Sequence, residues 1–180
     1  VTRKITRAVS RMALGIQDKV TLGHLDSQRD WGYAPEYVET MWRMLQQEKA
    51  DDFVIATGIK HSVREFAEKA FEYIGVKIEW QGKGFSEKGI VKDILDSPYR
   101  EHFQFKKGDM VVDIAEHLLR PTEVECLLGD YTKAKRILKW QPKTNFAELV
   151  KIMMEADLKR TQILLKGTKS YNEEWRQCII

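Results

Sequence analysis

Residues 51–75, DDFVIATGIKHSVREFAEKAFEYIG, restrict the fold more than any other stretch of the sequence. The segment opens with a short apolar run closed by Gly58, which is typical of a strand buried on both faces. Ser62 and Glu65 then have the spacing of a capping box at the start of a helix. Apolar residues recur on one helical face: Val63, Phe66, Ala67, Ala70 and Ile74. A strand followed by an amphipathic helix predicts an α/β fold.

The segments before this unit predict two more helices. VTRKITRAVSRMALG has apolar residues at helical spacing and ends at Gly15. KVTLGHLD predicts a short extended piece, and Pro35 suits the first turn of the second helix. The apolar stripe of that second helix, which we expect to be buried, is Tyr37, Val38, Met41, Trp42 and Leu45.

The segments after this unit complete the α/β pattern. VKIEW and DMVVDI predict short strands, whereas residues 81–108 show no clear period and predict a long loop. DYTKAKRILKWQP predicts a short helix, and Asn145 and Glu148 have capping-box spacing at the start of a long one. The tail 166–180 is polar, and we expect it to fray.

Composition excludes several classes. The 180 residues carry a net charge of only +3, so a general nucleic-acid role has no electrostatic support. Cys126 and Cys178 are the only cysteines, which argues against a disulfide scaffold and fits a reducing cytosol. The sequence has no apolar run of membrane-spanning length. Because it opens with Val1 in a helical pattern, we expect a piece of a longer protein.

Catalytic motifs are weak in this sequence. Tyr-x-x-x-Lys, an acid/base pair of dehydrogenases, occurs at Tyr73/Lys77 and at Tyr131/Lys135. Gly75 interrupts the first pair, and the second lies on a charged helix, so we interpret both as chance spacing. GKGFSEKG departs from the G-x-G-x-x-G spacing of a dinucleotide loop. None of the four histidines has a metal-binding spacing, so we expect no metal site.

Two arginines stand on rigid connectors. Arg29 is followed by Asp30 and Trp31, and Arg120 is followed by Pro121. A guanidinium presents a planar fork of donors that matches phosphate oxygens. Each arginine, taken alone, is also compatible with an ordinary surface charge. Together they would suit a diphosphate if the fold brings them together.

Six segments resemble, in order, the C-terminal half of the GDP-mannose 4,6-dehydratases, a family of extended short-chain dehydrogenases/reductases. The segments are VTRKITRAVSRMALG, LGHLDSQRDWG, YVETMWRMLQQ, DDFVIATGIKHSVREFAEKAF, LLRPTEVECLLGDYTKAKRILKWQPK and FAELVKIMMEAD. The resemblance implies that residues 1–165 comprise part of a Rossmann-type NAD(P)-binding fold and a smaller C-terminal nucleotide-sugar-binding domain. It further implies that residues 51–75 return to the Rossmann sheet.

The resemblance also implies an activity for the complete protein. Such enzymes convert GDP-mannose to GDP-4-keto-6-deoxy-mannose with a recycled NADP, in the cytoplasm, as dimers or tetramers. Their catalytic residues and glycine-rich cofactor loop lie outside the part that this chain resembles. We therefore expect no catalytic or cofactor-binding residue here and no activity from this chain alone. A non-catalytic nucleotide-sugar binding module, or another dehydratase or epimerase of the same superfamily, stays open.

The resemblance assigns five residues to binding of the nucleotide sugar. Val1 begins the binding segment, Lys4 and Arg29 approach the diphosphate, and Arg120 and Glu123 contact the diphosphate and ribose side. The chain departs from the usual family residues at several nearby positions: His24, Tyr33, Pro35, Glu36 and Lys139, the last in place of a common Gly.

Overall fold

The computed structural model describes residues 1–119, 122 and 124–166. Its helices are α1 (Thr2–Ala13), α2 (Ala34–Leu45), α3 (Val63–Tyr73), α4 (Thr132–Leu138) and α5 (Phe146–Leu165). Its strands are β1 (Val20–Leu22), β2 (Gln28–Arg29), β3 (His61–Ser62), β4 (Val76–Gln81), β5 (Lys88–Ile94) and β6 (Met110–Ile114). The predicted α/β class is confirmed.

The main sheet has the order β1-β6-β5-β4. β1 pairs with β6 in parallel, with Val20 opposite Val112, and the other neighbours pair antiparallel. A second, two-stranded sheet joins β2 to β3, with Arg29 opposite His61. This small sheet fixes the connector that carries Arg29.

Three helices, α1, α3 and α5, pack on one another and on the main sheet to form the principal core. The predicted stripe of α3 is buried throughout. Both predicted capping boxes form: the amide of Glu65 donates to Ser62 Oγ at 3.1 Å, and that of Glu148 donates to Asn145 Oδ1 at 3.0 Å. Each box satisfies helix-end donors that would otherwise lack a partner.

The prediction of a long loop over residues 81–108 is wrong in its central part. β5 occupies Lys88–Ile94 and pairs with both β4 and β6. The register shifts between Lys77 and Ile78 and again between Gly89 and Ile90. These bulges interrupt the alternation of side chains that normally indicates a strand, so the sequence around β5 shows no clean period.

The predicted burial of the α2 stripe is also wrong. Four of its five residues are exposed, with relative exposures of 62% at Val38, 59% at Met41, 62% at Trp42 and 82% at Leu45. The helix itself forms as predicted, with a proline in its first turn. Periodicity therefore identified an apolar face correctly, but the described residues do not cover it.

Residues 51–58 form no strand pairing with the described part of the chain. Phe53 and Ile55 pack beside a small second cluster around Trp140, whereas Val54 is 54% exposed. Gly129 lies against this segment so closely that an added Cβ would come within 2.3 Å of Ala56 Cβ. The return of residues 51–75 to a Rossmann sheet stays a prediction.

Candidate functional site

Arg29 is held in β2 by contacts to two different parts of the chain. Its Nη1 donates to the carbonyl of Gln28 at 2.8 Å and to that of Val124 at 2.6 Å. The backbone continues this contact, because the amide of Gln28 donates to the carbonyl of Glu125 at 2.7 Å and that of Leu127 to the carbonyl of Gln28 at 3.0 Å. The connector therefore fixes residues 124–127 beside Arg29.

Asp30 organises the same region, a role that the sequence did not reveal. Its Oδ1 accepts from the amide and hydroxyl of Thr57 at 2.8 and 2.6 Å, and its Oδ2 accepts from the amides of Gly58 at 2.9 Å and Gly129 at 3.4 Å. Those partners are distant in sequence, so neither spacing nor periodicity could identify them. The carboxylate of Asp30 therefore connects its own segment to the segment of Thr57 and Gly58 and to that of Gly129.

Trp31 attaches the connector to the core. Its ring meets Phe66 edge-on at 5.3 Å between centroids and stacks on Phe146 at 6.1 Å. His61 stacks on the same Phe146 at 3.8 Å. This aromatic group explains the tryptophan beside so many charged residues: the ring supplies the anchor, and the charges on either side make separate contacts.

A cleft of about 850 Å³ opens next to β2. Its wall includes residues 23–28, the turn at Gly84–Phe85, and the pair Glu125 and Cys126. The amino group of Lys60 approaches Cys126 Sγ at 3.6 Å there. The cleft is therefore bounded by the connector on one side and by the segment that Arg29 holds on the other.

Arg64 neutralises two carboxylates that line the cleft. It donates to Glu87 Oε1 at 2.6 Å and to Asp26 Oδ1 at 2.8 Å, and its guanidinium lies 4.8 Å from the ring centroid of Trp80. The hydrogen bond to Glu87 is the main cause of a raised Arg64 pKa, which the contact with Asp26 also favours. Arg64 lies in SVREF, and no pattern in the sequence distinguishes it from other surface arginines.

The structure separates the sequence-predicted residues into two places. Arg29 follows Gln28, a residue that lines the cleft, and precedes Asp30 in the connector. Lys4 lines a different surface groove of about 590 Å³ on the exposed face of α1, and Val1 precedes that helix. Arg120 and Glu123 lie outside the described residues. Their neighbours Leu119 and Glu125 both line the cleft.

The two Tyr-x-x-x-Lys matches lie in different local structures. Tyr73 ends α3 whereas Lys77 lies on β4, and burial, followed by the charge of Glu155, raises the Tyr73 pKa. A catalytic tyrosine that must lose its proton would need the opposite shift. Tyr131 precedes α4 and packs its ring edge-on against Trp140 at 5.9 Å. Both tyrosines pack against buried clusters, and their interpretation as chance matches stays a prediction.

The described residues contain neither a metal-binding cluster nor a membrane-spanning helix. No group of three or more His, Cys, Asp or Glu side chains there could hold a metal ion. No helix among those residues is long and apolar enough to cross a membrane.

Comparison with known proteins identifies the family. The family model described as GDP-mannose 4,6 dehydratase matches residues 1–153. The chain belongs to the GDP-mannose 4,6-dehydratase family. The family member from Dictyostelium discoideum is 47% identical over 172 residues, covering 96% of this chain and 44% of that protein. The human GDP-mannose 4,6 dehydratase is 48% identical over 158 residues, covering 88% and 39%. The chain thus spans less than half the length of these relatives.

Solved structures of low sequence identity share the fold. RMD from Pseudomonas aeruginosa, solved with NADPH, superposes with a TM-score of 0.63 at 14% identity over 88% of this chain and 42% of that one. UDP-glucose 4-epimerase from Thermotoga maritima, solved with UDP-glucose, gives a TM-score of 0.57 at 21% identity over 88% and 40%. The chain therefore has the fold of part of a Rossmann-type enzyme.

Proposed function

We propose that this chain is the nucleotide-sugar-binding part of a GDP-mannose 4,6-dehydratase. The complete protein would convert GDP-mannose to GDP-4-keto-6-deoxy-mannose. The observation that carries the proposal is the family match over residues 1–153, which includes the RDWG connector beside the cleft. The diphosphate of the substrate would lie where Arg29 meets residues 124–127.

The contacts of Arg29 are compatible with this role. Its Nη1 donates to two backbone carbonyls, those of Gln28 and Val124. Those carbonyls fix its position, which reduces the entropy lost when it binds a phosphate. Arg120 and Glu123 belong to the proposal through their neighbours Leu119 and Glu125, which line the cleft.

The proposed binding roles of Val1 and Lys4 rest on a different observation, the charge of the first turn of α1. The first turn of α1 contains Arg3 and Lys4 and no acidic residue. The positive end of a helix dipole favours anions and disfavours cations nearby. A bound diphosphate would offset this unfavourable arrangement, as the resemblance implies for Lys4.

The cofactor of the proposed reaction is NADP, and the described residues do not fit its main site. The glycine-rich turn at residues 82–89 joins β4 to antiparallel β5, whereas a pyrophosphate loop joins a strand to a helix. We propose that NADP is held chiefly by the rest of the protein, where it would supply reversible hydride transfer for the reaction. The residues of this chain would hold the GDP end in position.

The remaining part of the protein would also complete the fold. Residues 51–58 would join its Rossmann sheet, and the support is that they pair with no described strand and that Val54, with Ile59 just beyond the segment, is exposed. The exposed face of α2 would be covered in the same way. We further propose a cytoplasmic homo-oligomer, a dimer or a tetramer, as the resemblance implies.

An activity assay tests the proposal. The complete protein with GDP-mannose and NADP should yield the 4-keto-6-deoxy sugar, whereas residues 1–180 alone should yield none. GDP binding without turnover by the complete protein would favour the non-catalytic module. Turnover of a different nucleotide sugar in preference to GDP-mannose would favour another member of the superfamily.

A further inference from the structure

An exposed aromatic ring lies at one edge of the cleft beside β2. Phe85 belongs to the turn that joins β4 to β5, lines the cleft and is 67% exposed. The turn is ordered by its own backbone, because the amides of Ser86 and Glu87 donate to the carbonyls of Lys83 at 3.3 Å and Gly84 at 3.2 Å. A flat ligand that covered the ring would remove its apolar surface from water, which stabilises a complex.

Arg64 holds this turn against the connector. Its Nη1 and Nη2 donate to Glu87 Oε1 at 2.6 Å and Oε2 at 3.1 Å. Its Nε and Nη2 donate to Asp26 Oδ1 at 3.1 Å and 2.8 Å. Because a guanidinium is a rigid, planar fork, these contacts keep the turn that carries Phe85 beside Asp26.

Asp26 presents a carboxylate oxygen in a fixed position. The amides of Val63 and Arg64 donate to the carbonyls of Ser27 at 3.2 Å and Leu25 at 2.9 Å, so the backbone is held on both sides of Asp26. The Asp26 side chain is 83% exposed, and both hydrogen bonds from Arg64 go to Oδ1. Among the described residues, none donates a hydrogen bond to Oδ2. This oxygen therefore remains able to accept from a ligand.

Two other carboxylates line the cleft, and neither offers the same arrangement. The Glu87 side chain is only 14% exposed, and both of its oxygens accept from Arg64. Glu125 belongs to the segment that Arg29 holds, where we place the diphosphate. The acceptor that lies beside the exposed ring is therefore Asp26.

We propose that Phe85 and Asp26 form the subsite for the base of the nucleotide and select guanine. A base stacks its flat face on an aromatic ring and is read by hydrogen bonds along its edge. Guanine has two adjacent donors on its pairing edge, the N1–H and the 2-amino group, and an ionised aspartate only accepts. Adenine has an acceptor nitrogen at N1, which a carboxylate repels. This inference rests on the proposed function, because it assigns the base of the same nucleotide sugar.

The distance along the connector suits a single nucleotide. Asp26 precedes Arg29 by three residues, which span at most about 11 Å when extended. The ribose of a nucleotide bridges a gap of this order between the base and the diphosphate. One GDP group can therefore contact Asp26 with its base and Arg29 with its phosphates.

The preference of the complete protein for GDP over ADP, measured by calorimetric titration, tests the role of Asp26. Asp26→Asn keeps an oxygen for Arg64 but directs an amide donor at the base, so GDP should lose affinity and ADP should not. We expect the preference for GDP to fall at least about tenfold. The matched control is Glu125→Gln, which removes the same charge from another wall of the cleft. It should change both affinities alike and keep the preference.

The affinities of Phe85 variants test the ring. Stacking accepts any base, so Phe85→Ala should weaken GDP and ADP alike by about tenfold, and it should leave the affinity for inorganic pyrophosphate unchanged. Phe85→Tyr keeps the ring and should bind GDP like the unmodified protein. Leu95→Ala, at an exposed apolar residue outside the cleft, is the control and should also bind normally. A thermal melt of each variant checks that it is folded.

Each residue has an outcome that would overturn its role. An unchanged preference in Asp26→Asn, or a loss of preference in Glu125→Gln alone, would exclude selection by Asp26. Unchanged GDP affinity in Phe85→Ala, or an equal loss of pyrophosphate affinity there, would exclude stacking. If these results came from a protein that converts GDP-mannose, the base subsite would fail and the proposed function would stand. Absence of GDP binding by the unmodified protein would contradict the proposed function and this inference with it.

Discussion

The carboxylate of Asp30 accepts a hydrogen bond from the amide of Gly58 at 2.9 Å, and this contact joins the RDWG connector to the end of the DFVIATG segment. Gly58 adopts a positive φ of 75°, a conformation that favours glycine. The same carboxylate also holds Thr57 and Gly129. The two sequence motifs are therefore one structural unit, and Arg29 stands at its edge.

Removing the charge of Asp30 should loosen this unit. Asp30→Asn keeps one acceptor oxygen but directs an amide group at backbone donors, so we expect a loss of about 1–3 kcal/mol in the free energy of unfolding. Urea denaturation of the complete protein measures it. Asp18→Asn, at an exposed aspartate, is the control and should change little. Equal stability of both variants would show that Asp30 is not the organising residue.

The left-handed conformation of Lys139 leads to a second prediction. Lys139 has φ 52° and ψ 33°, and Arg43 Nη1 donates to its carbonyl at 2.9 Å. Such a backbone costs a non-glycine residue roughly 1–2 kcal/mol. Lys139→Gly should remove this cost, but glycine also makes the unfolded chain more flexible. The net increase in the free energy of unfolding should be about 0.5–1 kcal/mol. Lys139→Ala should give no gain, and a gain of the same size there would contradict the conformational explanation.

The ion pair between Asp51 and Lys133 gives a pH-dependent prediction. The hydrogen bond from Lys133, at 2.5 Å, is the main cause of a lowered Asp51 pKa, with the Asp52 amide contributing. A lowered pKa stabilises the fold fully above the ordinary aspartate value near 4, and this contribution disappears as pH falls through the folded value. Asp51→Asn should therefore have a lower Tm than the unmodified protein at pH 7, and the two values should converge toward pH 3. A difference in Tm that stays constant from pH 7 to pH 3 would contradict a stabilising ion pair between Asp51 and Lys133.

The exposed face of α2 supplies a prediction about the isolated chain. Residues 1–180 alone should bind a hydrophobic dye such as ANS, and Trp42→Lys should reduce that binding because Trp42 is 62% exposed. In the complete protein the same change should lower stability, since the residue would then be covered. Leu95→Lys, at another partly exposed apolar residue, is the control. Unchanged stability of the complete Trp42→Lys protein would show that the face stays uncovered.

Sequence patterns predicted those features whose cause is local. The capping boxes at Ser62 and Asn145 formed as expected because each involves residues three positions apart. The buried stripe of α3 was also predicted correctly, because the elements that cover it belong to this chain. For α2 the same reasoning failed at Trp42, because a period shows which face is apolar but not what packs on it.

Non-local features escaped the sequence for a different reason. β5 was missed because its bulge at Gly89 interrupts the alternation of side chains. The role of Asp30 depends on partners 27 to 99 residues away, and that of Arg64 depends on Glu87, 23 residues away. Such contacts exist only once the chain has folded. The neighbours Asp30 and Trp31 indicated a rigid connector at Arg29, whereas its two carbonyl contacts appear only in the structure.

GDP binding by the complete protein is the most direct test of the roles proposed for Arg29 and Arg120. Arg29→Ala and Arg120→Ala in the complete protein should each weaken GDP affinity by roughly tenfold to a hundredfold, as expected for a lost charge-assisted hydrogen bond of about 1.5–3 kcal/mol. Lysine at either position should restore only part of the affinity, because a point charge cannot replace the guanidinium fork. Since a diphosphate changes little during the reaction, KM should rise more than kcat falls.

A purely structural Arg29 would behave differently, since its Nη1 also holds the carbonyl of Val124. In that case Arg29→Ala would lower Tm and leave GDP affinity unchanged. Calorimetric titration of both alanine variants with GDP, accompanied by a thermal melt, is therefore the deciding measurement. We predict at least about a tenfold loss of GDP affinity in each variant. Unchanged GDP affinity in both variants would contradict diphosphate binding by Arg29 and Arg120.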